Sequence, residues 1–248
     1  MIEVRNISKS FDDRKVLDDI SVSFDKGKTN LIIGQSGSGK TVLLKCMVGL
    51  LTVDSGEIAY DNRVYSKAKE KEKSIFRQEI GMLFQGGALF DSMTSLKNVM
   101  FPLTMFTKMS KEEKKERALF CLNRVNLPNA ANLYPSELSG GMKKRVAIAR
   151  AISMNPKYLF CDEPNSGLDP QTSIVIDQLI NEITKEYGMT TVVNTHDMNS
   201  VMEIGDKVVF ICNGKVGWQG TNNDILNTNN KELNDFIYAT ELMRKLRK

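Results

Sequence analysis

The sequence is poor in histidine. Its one histidine is His196, so any chemistry that needs an imidazole must use that residue, and a histidine-rich metal site is excluded. Cysteine is scarce as well. Cys46, Cys121, Cys161 and Cys212 form no CxxC pair, and the expectation is buried thiols in a reducing compartment. No apolar run approaches the ~18 residues that span a bilayer. The start, MIEVRNISKS, lacks the layout of a secretory signal peptide. A chain that neither crosses a membrane by itself nor is exported is therefore expected. Neither sign of charge dominates, since 34 Lys and Arg stand against 30 Asp and Glu for a net +4. Nucleic-acid binders concentrate basic residues on one face. Here Lys143, Lys144 and Arg145 form one short cluster, and Arg244, Lys245, Arg247 and Lys248 another, so no nucleic-acid partner is expected. A hydrophobic share of 41% leaves ample material for a core and excludes the disordered and collagen-like classes.

Patterning predicts an α/β chain. Ile2, Val4 and Ile7 are apolar at near-alternating spacing, and Ile20, Val22 and Phe24 alternate strictly. Asp25, Lys26 and Gly27 predict a turn. TNLIIG then runs into a glycine-rich loop and an apolar helix, TVLLKCMVGLL. Lys67 to Lys73 alternates in charge and reads as a solvated surface loop. Phenylalanines 84, 90, 101 and 106 gather between 82 and 109 with methionines 82, 93, 100, 105 and 109. Ser110 and Glu113 form a capping-box pattern that opens a helix over 111–125, and another helix is predicted from Gly140 to about Met154. The span 82–155 reads as a helical insert. YLFCD is a short apolar strand. Asp169, Pro170 and Gly188 bracket a helix. TTVVNT is a β-branched strand, and KVVFICNGKVGWQG a hairpin turning at Asn213–Gly214. Helix is expected from Asn223 onward.

Residues Gly34, Gln35, Ser36, Gly37, Ser38, Gly39, Lys40 and Thr41 read GQSGSGKT and match GxxxxGK[ST]. Glycines let backbone N–H groups turn toward a phosphate chain. Lys40 can reach the β- and γ-phosphates, and Thr41 can ligate Mg²⁺. The helix that follows offers its positive N-terminus to the same anion. The strand before and helix after are the context the motif requires. No NKxD motif is present to indicate guanine. At the end of YLFCD stand Asp162 and Glu163. An acid there can hold Mg²⁺ through water, and a second carboxylate beside it can polarise the attacking water.

Between these motifs lies LSGGM, residues 138–142, followed by KKRVAIARA. With it the chain resembles the ATP-binding subunit of ATP-binding-cassette (ABC) transporters, over residues 2 to about 225. LSGGM is similar to the family signature LSGGQ. Phe84–Gln85 resembles the Q-loop, Ser166–Asp169 (SGLD) the D-loop, and NTHD supplies the switch histidine, His196. The resemblance implies a P-loop (RecA-like) core with an antiparallel β-subdomain and an inserted helical subdomain. The cassette would occupy 1–225, with a helical extension over 226–248. It also implies that ATP is held by Phe11, stacked on adenine, by Val16, by the loop 34–41, and by Ser139, Gly140, Gly141 and Asp169 toward a paired subunit. Mg²⁺ would fall to Thr41, Gln85 and Asp162, and catalysis to Glu163, His196 and Gln85. One chain then carries two half-sites that a homodimer closes. Met142 departs from the signature glutamine and lacks its amide hydrogen bonds.

GGALFDSMTSLKNVMFPL after Gln85 resembles the same stretch in ATPases of Mla-type (MCE-associated) phospholipid transport systems, whose signature also tends to read LSGGM. That resemblance implies an integral-membrane permease, an MCE-domain lipid-binding protein and a peripheral, cytoplasmic position on the inner membrane. The Phe/Met cluster fits a surface that grips a permease helix. The alternative is a cassette for amino acids or another small polar solute. A soluble ABC-type ATPase is disfavoured because the chain has one phosphate loop and no long heptad stretch. A regulatory nucleotide-binding module is disfavoured by the presence of both Glu163 and His196.

Overall fold

The computed structural model describes residues 1–239. In chain order the elements are β1 (Ile2–Phe11), β2 (Arg14–Phe24), β3 (Thr29–Ile33), α1 (Lys40–Met47), β4 (Ser55–Tyr60), β5 (Arg63–Val64), α2 (Glu70–Gln78), β6 (Ile80–Leu83), α3 (Ser95–Phe106), α4 (Lys111–Arg124), α5 (Gly140–Ile152), β7 (Tyr158–Asp162), α6 (Pro170–Tyr187), β8 (Thr190–Asn194), α7 (Met198–Ile204), β9 (Lys207–Cys212), β10 (Lys215–Gly220) and α8 (Lys231–Ile237). They form two compact units. One comprises Met1–Lys69 and the chain from Thr190 on, the other Glu70–Met189.

In the first unit, β2, β1, β4 and β5 make an antiparallel sheet in that order. The spacing of Ile2, Val4 and Ile7 carries one residue too many for strict alternation, and the structure shows why. Asn6 adopts φ 50° and Asp19 of β2 adopts φ 57°, so each strand carries a bulge. The Asn6 side chain donates to Asp19 Oδ1 at 2.9 Å. The bulges return Ile2, Val4, Ile7, Leu17, Ile20 and Phe24 to one buried face. In a second sheet β3 lies between two parallel neighbours, β8 and β9, with β10 antiparallel beyond β9. β3 and β8 are buried along their whole length, as parallel strands require. Asn30 of β3 is buried and closes the 25–27 turn. Its amide donates to the carbonyls of Asp25, Lys28 and Thr191 and accepts from Asp25 N–H.

In the second unit β6 and β7 pair in parallel, and α3, α4 and α5 pack against one another. Thr94, the Ser110–Glu113 capping box, Ser139 and Asp169 cap α3, α4, α5 and α6. Pro170 opens α6, and Gly188 closes it at φ 60°.

Three expectations are corrected. The charged stretch near Lys67 is not loop throughout. Glu70–Gln78 is helical because Phe76 anchors it in the core and Arg77 pairs with Glu70 at 2.6 Å. The first helix is shorter than its apolar run. It ends at Met47, and Gly49 follows in a left-handed conformation at φ 77°, where a Cβ would overlap the Tyr65 ring. The short Lys143–Arg145 cluster is partly drawn into the fold. Lys144 is 5% exposed, and Arg145 donates to the Asn126 carbonyl at 3.1 Å. Near the end of the described chain, the helix expected from Asn223 is a 3-10 turn at Ile225–Asn227 followed by α8. The last part of the expected 226–248 extension, including Arg244 to Lys248, lies outside the described residues.

Candidate functional site

The phosphate loop joins β3 to α1 in the first unit. Gly34, Gly37 and Gly39 take φ of 147°, 78° and 107°, which L side chains rarely adopt. At Gly34 a Cβ would meet the Ile211 carbonyl oxygen at 2.2 Å, so the loop is drawn against β9. At Gly39 a Cβ would meet the Val16 carbonyl oxygen at 2.9 Å. Val16 is thereby placed against the loop. The Lys40 ammonium is buried and donates to the carbonyls of Gly34 at 2.8 Å and Gln35 at 2.9 Å. Those bonds hold it under the loop, ready to be exchanged for phosphate oxygens. Ser38 Oγ is buried with no hydrogen-bond partner among the described residues. A buried hydroxyl left so and a cradle that excludes Cβ atoms both fit a phosphate chain.

Other residues of this unit complete that half. Asn194, at the end of β8, donates from Nδ2 to Thr41 Oγ1 at 3.1 Å. This bond takes one of the two lone pairs of the hydroxyl and fixes its position. The sequence motifs name Asn194 only as a letter before His196, and its bond to a residue 153 positions away had no local signal. His196 follows the strand end and is exposed. Thr195 N–H donates to the Ile32 carbonyl at 3.1 Å and ties that end to β3. Asp197 caps α7 through Asn199 N–H at 2.9 Å. Phe11, at the tip of β1, is 41% exposed, with Lys9 Nζ 5.5 Å from its ring centroid. A free aromatic face beside a cation suits stacking on a base.

In the second unit β7 delivers Asp162, buried, and Glu163, half-buried, at its end. Glu163 has φ 49°. A left-handed glutamate costs of order 1–3 kcal/mol, and such strain gathers at functional sites. Gln85 is exposed, and its Nε2 donates to Ser166 Oγ at 3.4 Å. Ser139 Oγ accepts from Met142 N–H at 3.3 Å, so an exposed hydroxyl and two glycines form the N-terminus of α5. At Gly141 a Cβ would sit 2.5 Å from Thr172 Cγ2. Thr172 in turn donates from N–H and Oγ1 to Asp169, at 3.0 and 2.5 Å. These hydrogen bonds, the hydroxyl's first, hold the Asp169 carboxyl below its ordinary range. The signature turn and the end of the SGLD segment therefore meet through Thr172.

Of the residues singled out from the sequence, the first unit brings Val16 of β2 against the loop 34–41 and carries Phe11 at the tip of β1. The second gathers Gln85 with Ser166, and Ser139–Gly141 with Asp169. Two cations on α5 went unrecognised. Lys144 donates to the Gln85 carbonyl and lies 3.4 Å from that of Glu163. Arg150 donates to the carbonyls of Gly87 and Ala88, each at 2.7 Å.

A family model described as ABC transporter matches residues 17–166. Methionine import ATP-binding protein MetN 1 of Oceanobacillus iheyensis is 41% identical over 244 residues, 96% of this chain and 72% of that protein. Glutamine transport ATP-binding protein GlnQ of Geobacillus stearothermophilus is 41% identical, covering 87% of this chain and 88% of that protein. Intermembrane phospholipid transport system ATP-binding protein MlaF of Haemophilus influenzae is 37% identical, covering 96% and 90%. Among solved structures, the dimeric structure of MJ0796, a bacterial ABC transporter cassette, superposes with a TM-score of 0.82 at 34% identity over 89% of this chain and 98% of that one.

Proposed function

The chain belongs to the ABC transporter family, and from that premise we propose that it is the ATP-hydrolysing subunit of a transporter for an amino acid or another small polar solute. ATP-binding proteins of this family are ATPases that use ATP with Mg²⁺. The observation that carries the catalytic reading is Glu163, a carboxylate on strained backbone directly after the buried Asp162. Backbone so constrained fixes the direction in which the side chain leaves the chain, which suits a residue that must orient water.

Each residue then has a role. Phe11 stacks on adenine, and Val16 supports the loop. Gly34 to Gly39 direct N–H groups and the Ser38 hydroxyl to the phosphates, and Lys40 neutralises their charge. Glu163 and His196 orient the water, with Gln85 reporting the state of the nucleotide. Ser139, Gly140, Gly141 and Asp169 serve the nucleotide of a second copy, so the working form is a homodimer. Thr41, Gln85 and Asp162 would hold Mg²⁺, which supplies charge neutralisation at the phosphates. Among the described residues no cluster of His, Cys, Asp or Glu could hold a metal by itself, which suits an ion that arrives with its phosphates.

No helix among the described residues is long and apolar enough to cross a membrane. A separate permease supplies that part, and the chain sits on its cytoplasmic side. The relatives at 41% identity that serve methionine and glutamine favour the amino-acid reading. The phospholipid reading, with its MCE-domain partner, rests on the MlaF match, on Met142 and on the stretch 86–103.

Glu163→Gln tests the chemistry. It keeps the carboxylate's shape but not its basicity, so ATP binding persists, turnover falls at least ~100-fold and a nucleotide-bound dimer accumulates. Turnover within a few-fold of the parent would remove Glu163 from its role. Purification of the complex from detergent-solubilised membranes, with mass spectrometry of its proteins and lipids, separates the solutes. Co-purified phospholipid and an MCE-domain protein would favour the second reading.

A further inference from the structure

Lys144 is a lysine where a lysine is costly. It lies in the second turn of α5 and is 5% exposed, and burial pushes its pKa down. Its ammonium hydrogen-bonds two backbone carbonyls, while the Glu163 and Asp162 carboxylates act on it through space. It donates to the Gln85 backbone oxygen and lies 3.4 Å from the Glu163 backbone oxygen. These oxygens belong to residues 59 and 19 positions away in sequence, two residues past the end of β6 and just after β7. Further along the same helix, Arg150 grips Gly87 and Ala88, which take φ of 76° and 47°. Arg150 therefore secures the loop after Gln85, and its hydrogen bonds do not extend to Glu163.

We propose that Lys144 is a positioning residue that yokes the backbone of Gln85 to that of Glu163, so that one ammonium on the signature helix sets both the nucleotide-reporting and the water-orienting residue. The inference rests on the roles given above to Gln85 and Glu163. The physical reason is directional. The left-handed turn at Glu163 swings the chain off β7, where its carbonyl accepts from Ser166 N–H at 3.2 Å, and Lys144 adds a second donor from another element. An ammonium has three N–H groups and can serve two carbonyls at once, which a backbone N–H cannot. A shift of α5, whose N-terminus carries Ser139, is transmitted through Lys144 to Gln85 and Glu163 together.

Steady-state ATPase kinetics of the full chain test this, with nucleotide affinity and melting temperature measured in parallel. In Lys144→Met the stem remains and the donors go. The expected result is an ATP Kd within about twofold of the parent and a kcat at least tenfold lower. Lys144→Arg restores donors and recovers most of kcat. In a Glu163→Gln background, Lys144→Met lowers the residual rate no further. Should Lys144→Met not fold, Lys144→Gln carries the same comparison, because its neutral amide is shorter than the lysine stem and lacks the ammonium's charge-assisted hydrogen bonds. Unchanged kcat in Lys144→Met overturns the proposal. So does a kcat loss that only follows the loss of melting temperature, or one that Lys144→Arg fails to recover. If Glu163→Gln itself turns over normally, the role of Glu163 fails and the yoke loses its object. If Glu163→Gln is inactive while Lys144→Met is active, the yoke alone fails.

Discussion

At the scale of single residues, the thiols show how burial sets chemistry. Cys46, Cys121 and Cys161 are buried and Cys212 is half-exposed. Burial pushes the Cys46 and Cys121 thiols up to about 11 from an ordinary 9.0, and pushes Cys161 higher still. The thiolate is the nucleophile. At pH 8, iodoacetamide should therefore label Cys212 first in the native protein, and the other three only after unfolding, as read by peptide mass spectrometry. The same shifts have a sign for stability. The unfolded thiols begin to ionise near 9.0, while the folded Cys46 and Cys121 stay neutral until about 11. Their contribution is full below that window and is lost as pH rises through it. Rapid native labelling of Cys121 would show that its helix opens far more readily than its packing implies.

At the scale of elements, the N-terminus of α5 separates backbone from side-chain roles. Met142 departs from the expected glutamine, yet its contribution to the Ser139 cap is its N–H. Met142→Gln should leave stability within about 0.5 kcal/mol and ATPase activity within about threefold. Gly141 has no such freedom, because an added Cβ meets Thr172 at 2.5 Å. Thr172 is β-branched and already committed to Asp169, so it yields poorly. Gly141→Ala should cost about 1–3 kcal/mol. At roughly 2–4 °C per kcal/mol for a chain of this size, calorimetry would resolve it. A melting temperature equal to the parent's would mean that α5 and α6 separate without cost.

At the scale of the whole molecule, the question is what holds the chain to its permease. The Phe/Met cluster divides in the structure. Phe90, Met105 and Phe106 are exposed by 40%, 60% and 48%, and Phe84, Met93, Met100 and Phe101 are half-buried. Asn98 fixes the entry to this region, donating to the carbonyls of Phe90, Met93 and Thr94. The exposed members are free to meet a partner, and the half-buried ones hold the surface in shape. The double substitution Met105→Asp, Phe106→Asp should abolish co-purification with the permease while leaving the fold and basal ATPase intact. Intact co-purification would move the docking surface elsewhere.

Much of the molecule was legible before its structure. Glycines fix backbone that only they adopt easily, and so GQSGSGKT, Gly188 and Asn213–Gly214 could be placed from sequence. Caps act over three residues, and so Ser110–Glu113 and Asp169–Pro170 could be too. Buried strands announce themselves as apolar runs, as in TNLII, YLFCD and TTVVN. These are local rules, and each is satisfied within a few residues of itself. What tertiary structure alone decided is long-range hydrogen bonding. Lys144 sat in an apparently basic cluster until two carbonyls from distant chain claimed its ammonium. Asn194 was an unremarked neighbour of His196 until it met Thr41. A buried polar group needs a partner, but its own sequence neighbourhood does not say which chain will supply one, because the fold brings that chain there.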